Sequence, residues 1–386
     1  MGSASRAGVP RVVLIGIHGH GRVHLEGLLA RERAGRLALC GLADRREPSG
    51  PDGRTSDGRV FDTDAERLLG ALRPDIAVIA TPIHTHAAFA ELAMRLGAHV
   101  LLEKPPVTAV AEHDRLVSVA DSERRHCQVG FQAFGSSVAR DLLHRVRTGE
   151  LGRIERISVV GAWRRDADYY ARSAWAGHRR LGDIVVADGA LTNPFAHGLA
   201  LALRLAAPGD GGPIRSVVVE PYHAYPIETD DTISARIETS TGVPVTAAVT
   251  LCARQEFEPY VEVFGTGGRA TLHYTQDRLR LDTGAGPVQT TGGRIDLIDD
   301  LIAHLDDDPA QDVLCSPLRA TRTFTEVLEA IQRGPAAQSV PERYVLASTE
   351  GRTIVGIEDA VVQAGARGLQ FSQLDLDWTR PDFPTT

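Results

Sequence analysis

Of the 42 basic residues in this 386-residue chain, a single one is lysine, Lys104. Arginine replaces lysine readily at a surface, but a guanidinium stays charged at any working pH, whereas an amine can shed its proton. The neighbours of Lys104 define what that amine can do. Leu101-Leu102-Glu103-Lys104-Pro105-Pro106 ends a short apolar run of the kind that forms a buried strand. An amine beside a carboxylate, on a turn stiffened by proline, can donate to a hydroxyl or relay its proton.

A second chemical signal lies near the N-terminus. Gly16-Ile-His18-Gly19-His20-Gly21-Arg22-Val-His24 sits between an apolar strand pattern and a helix pattern. Glycines at such a turn let the backbone approach a pyrophosphate, and the helix start supplies amide donors. The glycine offsets are 0, 3 and 5, so His18 stands where the second glycine of G-x-G-x-x-G usually falls. Asp44 ends the next apolar run, placed to bind the adenosine ribose hydroxyls of NAD. Arg45 and Arg46 follow at once and suit a 2′-phosphate, which keeps NADP open. Three imidazoles in one loop suggest a metal, but the local sequence offers no carboxylate or cysteine to complete a set, so none is expected.

These groups need elements to position them. Strand patterns at Arg11–Gly16, Leu37–Ala43, Ile76–Ala80, His99–Leu102 and Cys127–Phe131 alternate with helix patterns at about 23–33, 64–72, 84–96 and 109–121. That alternation predicts a doubly wound α/β sheet, a Rossmann domain, over residues 11–130. Ligands of such sheets lie at the carboxyl ends of the strands, so Thr81-Pro82, His86 and the Glu103-Lys104 turn face the same crevice as the glycine loop. Beyond residue 130 come a helix at 139–147, a strand at 154–162, a helix after Asn193, and strands at 216–220, 232–238, 243–251, 260–264, 269–274 and 278–282. Closely spaced strands predict an α+β domain with a mostly antiparallel open sheet over residues 131–370. Helices near 318–332 and 353–366 close it. Residues 1–10 read as a disordered leader and 371–386 as a C-terminal arm.

Composition narrows the classes further. The net charge is −8, without basic blocks, which excludes a typical nucleic-acid binder. No apolar run nears the roughly 20 residues of a membrane span. The four cysteines are dispersed, without a Cys-x-x-Cys pair, so a cytoplasmic location is expected.

Gly-x-x-Gly-x-Gly-Arg-x-His24, Thr81-Pro82 with His86, Glu103-Lys104-Pro105, Gly149-Glu-Leu-Gly152 and Gly265-Thr-Gly-Gly together resemble the glucose–fructose oxidoreductase/inositol dehydrogenase (Gfo/Idh/MocA) family over residues 11–370. The resemblance implies an NAD(P)-dependent oxidoreductase of sugars, cyclitols or related polyols, with Lys104 in the active site. It also implies a homodimer or homotetramer. Expected cofactor contacts are Gly16, His18, Gly19, Gly21, Arg22, Asp44, Arg45, Thr81, Pro82, His86, Glu103 and Gln132, the last ending the strand that leaves the first domain.

A polyol dehydrogenase needs a base near neutrality, and histidine suits that task. His197 matches the family's Asp-x-x-x-His segment, whose aspartate position is Asn193 in this chain. Asn193 followed by Pro194 also reads as a helix N-cap with proline at the first helical position. On that helix Asn193 and His197 lie one turn apart, with Asn193 orienting a hydroxyl. Tyr170, Arg172 and Trp175 are expected substrate contacts, through an apolar face and hydrogen-bond donors. Two further readings are redox-assisted glycoside cleavage with tightly bound NAD, and a non-catalytic nucleotide- or sugar-binding regulator.

Overall fold

The apolar run after Pro10 forms β1 (Arg11–Ile15), in which Val12 to Ile15 are buried. In the computed structural model, which describes residues 8–46, 59–207, 212–309 and 313–379, the chain divides into two units. The first comprises residues up to Phe131 together with Asp296–Thr321. After β1 come α1 (Gly21–Arg33), β2 (Ala38–Ala43), β3 (Val60–Asp62), α2 (Ala65–Leu72), β4 (Ile76–Ile79), α3 (His86–Arg95), β5 (His99–Leu102), α4 (Val110–Glu123) and β6 (Cys127–Val129). The six strands pair in parallel in the order β3-β2-β1-β4-β5-β6. Edge strand β3 was not expected. Residues 1–7 of the expected leader lie outside the described residues, and the carbonyl of buried Pro10 accepts from Ala38 N at 2.9 Å, so the sheet already holds it.

The second unit starts at Gln132 with a short turn of 3-10 helix, so Gln132 does not end a strand: β6 stops at Val129. It continues with α5 (Ser137–Arg147), β7 (Ile154–Arg164), α6 (Ala167–Ala171), β8 (Arg180–Leu181), β9 (Ile184–Val185), α7 (Ala196–Ala206), β10 (Ile214–His223), β11 (Thr232–Thr239), β12 (Pro244–Thr250), β13 (Cys252–Gly265), β14 (Gly268–His273), β15 (Arg278–Thr283) and β16 (Gly286–Thr291). The chain then gives α8 (Leu297–Ala303) to the first unit before adding α9 (Arg322–Arg333), β17 (Gln338–Ser339), β18 (Val345–Ser348), β19 (Gly351–Ile354) and α10 (Ile357–Arg367) to the second. Nine strands pair in the order β16-β15-β14-β13-β7-β12-β11-β10-β17. Only β7–β12 and β10–β17 are parallel.

Strand β7 is buried between two helices, and its alternation assigns a face to each. Val160 meets α10, where a Cβ on Gly365 would fall 2.2 Å from the Val160 side chain. Val159 and Gly161 face the α7 side, where a Cβ on Gly161 would fall 2.3 Å from the Phe195 ring.

The division of the chain differs from the sequence expectation at two places. Asp296–Thr321 belongs with the first unit, where Leu297, Leu301 and Leu314 join the core of Leu14, Leu28 and Leu101. Residues 371–379 form no arm, because Phe371 and Trp378 are buried against Tyr222. Residues 380–386 lie outside the described residues. Among the described residues no helix is long and apolar enough to cross a membrane.

Candidate active site

In the first unit the glycine loop is built by steric necessity. Gly16 has φ +87°, and a Cβ there would fall 2.6 Å from Ala80 O; one on Gly21 would fall 2.0 Å from Gly16 O. Gly19, at φ +57°, has no atom within 4 Å of an added Cβ, so its face is open for a ligand's approach. Helix α1 starts at Gly21 without a side-chain cap, its positive end at the loop. These features fit a dinucleotide pyrophosphate.

Asp44 closes the loop onto β2. Its carboxylate accepts from Ile17 N at 2.9 Å and Arg46 N at 3.2 Å and pairs with His18 Nδ1 at 3.0 Å. Burial pushes its pKa up, but these partners outweigh burial and hold it below the usual carboxylate range. His18 thus stands at a glycine position with its ring turned to Asp44. Arg22 and Arg45 are exposed.

The Lys104 turn follows β5. Lys104 is half-buried, and its backbone N–H donates to Glu103 Oε2 at 3.1 Å. Glu103 is buried, and Gly130 leaves room for it: a Cβ there would lie 2.9 Å from Glu103 Oε1. That oxygen meets His24 Nε2 at 2.7 Å and His20 Nε2 at 3.5 Å. Burial favours the neutral acid, yet the two imidazoles prevail and hold Glu103 ionised well below the carboxylate range. The hydrogen bond to Glu103 raises the His20 pKa against burial and the Lys104 charge.

A carboxylate therefore does complete a set with two of the loop histidines, contrary to the local sequence reading. The three ligand-type atoms lie within 4.8 Å of one another. Lys104 and the start of α1 place positive charge at the same spot, which suits imidazolium–carboxylate pairing over a divalent cation.

His86, expected as a cofactor contact, has the geometry of a brace. It is buried, with Nδ1 at 2.9 Å from Pro105 O and Nε2 at 2.8 Å from Thr81 O, so both ring nitrogens face backbone. It ties the Thr81-Pro82 turn to the one that carries Lys104. Burial pushes its pKa down.

In the second unit His197 lies in the first turn of α7. Asn193 is not the N-cap: the helix begins at Ala196, and Asn193 sits in the preceding turn, its N–H donating to Gly189 O at 3.0 Å. Its Nδ2 donates to Asp188 Oδ1 at 2.9 Å. Asp188, unassigned from sequence, is buried and also accepts from Gly177 N at 2.8 Å. Neighbouring Asp230 accepts from Ala190 N at 2.9 Å, and burial pushes its pKa up to about 7.

Tyr170, expected as a substrate contact, is partly buried and packs against the second unit's core. Its ring lies 4.8 Å from that of Tyr225, and its hydroxyl is buried without a hydrogen-bond partner. Tyr169 instead meets Arg172, whose guanidinium carbon lies 3.6 Å from its ring centre and 4.7 Å from that of Trp175. Gln132 is half-buried at the start of this unit.

A parallel nucleotide-type sheet with a glycine loop, followed by a mixed-sheet domain, defines a two-domain oxidoreductase architecture. Two family models match the chain: the oxidoreductase family NAD-binding Rossmann fold at residues 10–131, and the GFO/IDH/MocA C-terminal domain at residues 139–271. The chain belongs to the Gfo/Idh/MocA family. It is 28% identical over 156 residues to glycosyl hydrolase family 109 protein 2 of Akkermansia muciniphila, covering 39% of this chain and 33% of that protein. It is 28% identical over 143 residues to inositol 2-dehydrogenase 1 of Saccharopolyspora erythraea, covering 37% and 42% respectively. The match thus spans less than half of either relative. In fold it is similar to the WlbA dehydrogenase from Bordetella pertussis, solved with NADH and UDP-GlcNAcA. The TM-score is 0.66 at 21% identity, covering 84% of this chain and 96% of that one.

Proposed function

We propose that this chain transfers a hydride between NAD and the hydroxyl-bearing carbon of a sugar, cyclitol or related polyol. The observation that carries the reading is the lone lysine, held next to buried, ionised Glu103 at the end of β5. The same sheet presents the glycine loop and Asp44. NAD, when bound, supplies the hydride acceptor. Lys104 donates to the reacting oxygen and stabilises its alkoxide character, and His197 takes the hydroxyl proton and returns it in the reverse direction. Asn193, oriented by Asp188, offers its amide carbonyl to a substrate hydroxyl.

The test is titration with NAD(H) and NADP(H), the latter because Arg45 and Arg46 follow Asp44, and then a sugar and polyol panel. Lys104→Ala and His197→Ala are each expected to lower kcat by about 10²–10⁴-fold with cofactor binding kept. Absence of dinucleotide binding at sub-millimolar concentration would sink the oxidoreductase reading. Unchanged turnover in Lys104→Ala would sink the assigned roles.

The match to glycosyl hydrolase family 109 proteins favours one second reading, redox-assisted glycoside cleavage with retained NAD. Cofactor that survives purification, with glycoside cleavage and no net NADH release, would select it. The proposed location is the cytoplasm, in keeping with Cys40, Cys127, Cys252 and Cys315 as free thiols. The proposed assembly is a homodimer or homotetramer, which sedimentation reads directly.

A further inference from the structure

The second unit concentrates positive charge in one stretch of an otherwise acidic chain. Residues 163–180 hold five arginines against two aspartates, while the whole protein carries −8. Three of the five are committed locally. Arg164 pairs with Glu350 at 2.7 Å. Arg179 donates to the carbonyls of Ile331, Gln332, Gly334 and Pro335, and Arg180 to those of Gly182 and Asp183.

Arg165 and Arg172 are placed differently. Both stack on aromatic faces and share Tyr169: Arg172 lies 3.6 Å and Arg165 5.4 Å from its ring centre. Trp175 supports Arg172 at 4.7 Å, and Trp163 supports Arg165 at 5.2 Å. Each uses one Nη1 donor on a nearby carbonyl, Tyr169 O for Arg172 and Arg164 O for Arg165. Their nearest carboxylates, Asp188 for Arg172 and Glu256 for Arg165, lie at 3.8 and 3.9 Å, attractive but beyond hydrogen-bond reach. A guanidinium held over aromatic rings has N–H donors beyond the one already used on a carbonyl, and such a fork recognises a planar or tetrahedral oxyanion. Asp188 also links Arg172 to Asn193, which its other oxygen holds.

We propose that Arg165 and Arg172 form an anion clamp, and that the sugar this chain oxidises is acidic, carrying a carboxylate or a phosphate. The proposal deepens the hydride-transfer reading and rests on it for the word oxidises; the clamp itself is read by binding. The probes are D-glucuronate for the carboxylate arm, D-glucose 6-phosphate for the phosphate arm, and D-glucose and myo-inositol as neutral references. Calorimetry on the full chain with NAD is expected to show binding of one of the two anions, weakened by salt, and weaker binding of both neutral compounds.

Arg172→Met and Arg165→Met are each expected to raise the KM or Kd for the bound anion about 10- to 100-fold. The thermal midpoint should hold, and any loss for the neutral compounds should be smaller than the loss for the bound anion. Arg172→Lys keeps the charge without the fork and should fall between. Neutral sugars bound as well as the anions would overturn the clamp and leave the hydride reading standing. So would absence of binding by either anion, or variants that leave the preference intact. Anion binding without NADH formation from any probe would keep the clamp and count against the hydride reading.

Discussion

At the scale of single residues the decisive group is Glu103, because its charge organises everything around Lys104. Its carboxylate is depressed and the facing His20 imidazole is raised, so the pair has a defined pH window. The Glu103 contribution to stability is present above its unfolded value, about 4.3, and is lost as pH falls toward its depressed native value. The His20 contribution is present below about 6.5 and is lost as pH rises through its raised native value. Urea unfolding of His20→Ala against the parent should therefore show its largest deficit near pH 5–6, shrinking toward pH 9. A deficit independent of pH would mean that the pair does not form. Lys104 and the Glu103 beside it are legible in the sequence, since type and neighbours point to the chemistry. The partnership of Glu103 with His20 and His24 is not, because the residues are about 80 positions apart and meet only once β1 and β5 lie in one sheet.

At the scale of elements, His86 and Gly161 show how turns and strands hold the site residues. His86→Ala removes a ring that bridges Thr81 O and Pro105 O, leaving whichever carbonyl its single N–H serves without that donor. It should cost about 1–3 kcal/mol in denaturant unfolding and lower kcat through the loosened Lys104 turn. Stability and turnover restored together in His86→Gln would confine its role to bracing, and restored stability alone would point beyond it. Gly161→Ala drives a methyl into the Phe195 ring just before α7 and should cost about 1–3 kcal/mol, partly recovered by Phe195→Leu. The alternating strands and helices of the first unit are readable from apolar period. The start of α7 is not, because Asn193-Pro194 has the local signature of a cap. The competing bond to Asp188 arises from a residue five positions earlier whose burial no local pattern announces.

At the scale of the whole molecule, the first unit is completed by residues that sequence order places inside the second. Edge strand β6 is covered by this returning segment, with Val129 N donating to Ser316 O at 2.8 Å. Gln128 is the rivet: its amide donates to Leu297 O at 2.7 Å and Asp300 Oδ2 at 3.0 Å and accepts from Ser316 N at 3.0 Å. Gln128→Leu should cost about 1–3 kcal/mol, since it removes three buried hydrogen bonds, although Asp300 Oδ2 keeps Cys315 N as a donor at 2.8 Å. An unchanged urea midpoint would show that the segment holds without it. The short helix α8 escaped the sequence reading because its seven residues are too few for a periodic signal, and its contacts with Arg31 and Gln128 reach back more than 160 positions.

This return has a consequence for biogenesis. A ribosome releases residues 11–131 long before Asp296–Thr321, so the nucleotide-type sheet emerges with one margin bare and acquires its cover only after Gln132–Ile295 of the other unit has been synthesised. The first unit thus cannot be completed before that stretch of the second exists, and a fragment that stops after residue 131 would expose that margin to any neighbouring strand.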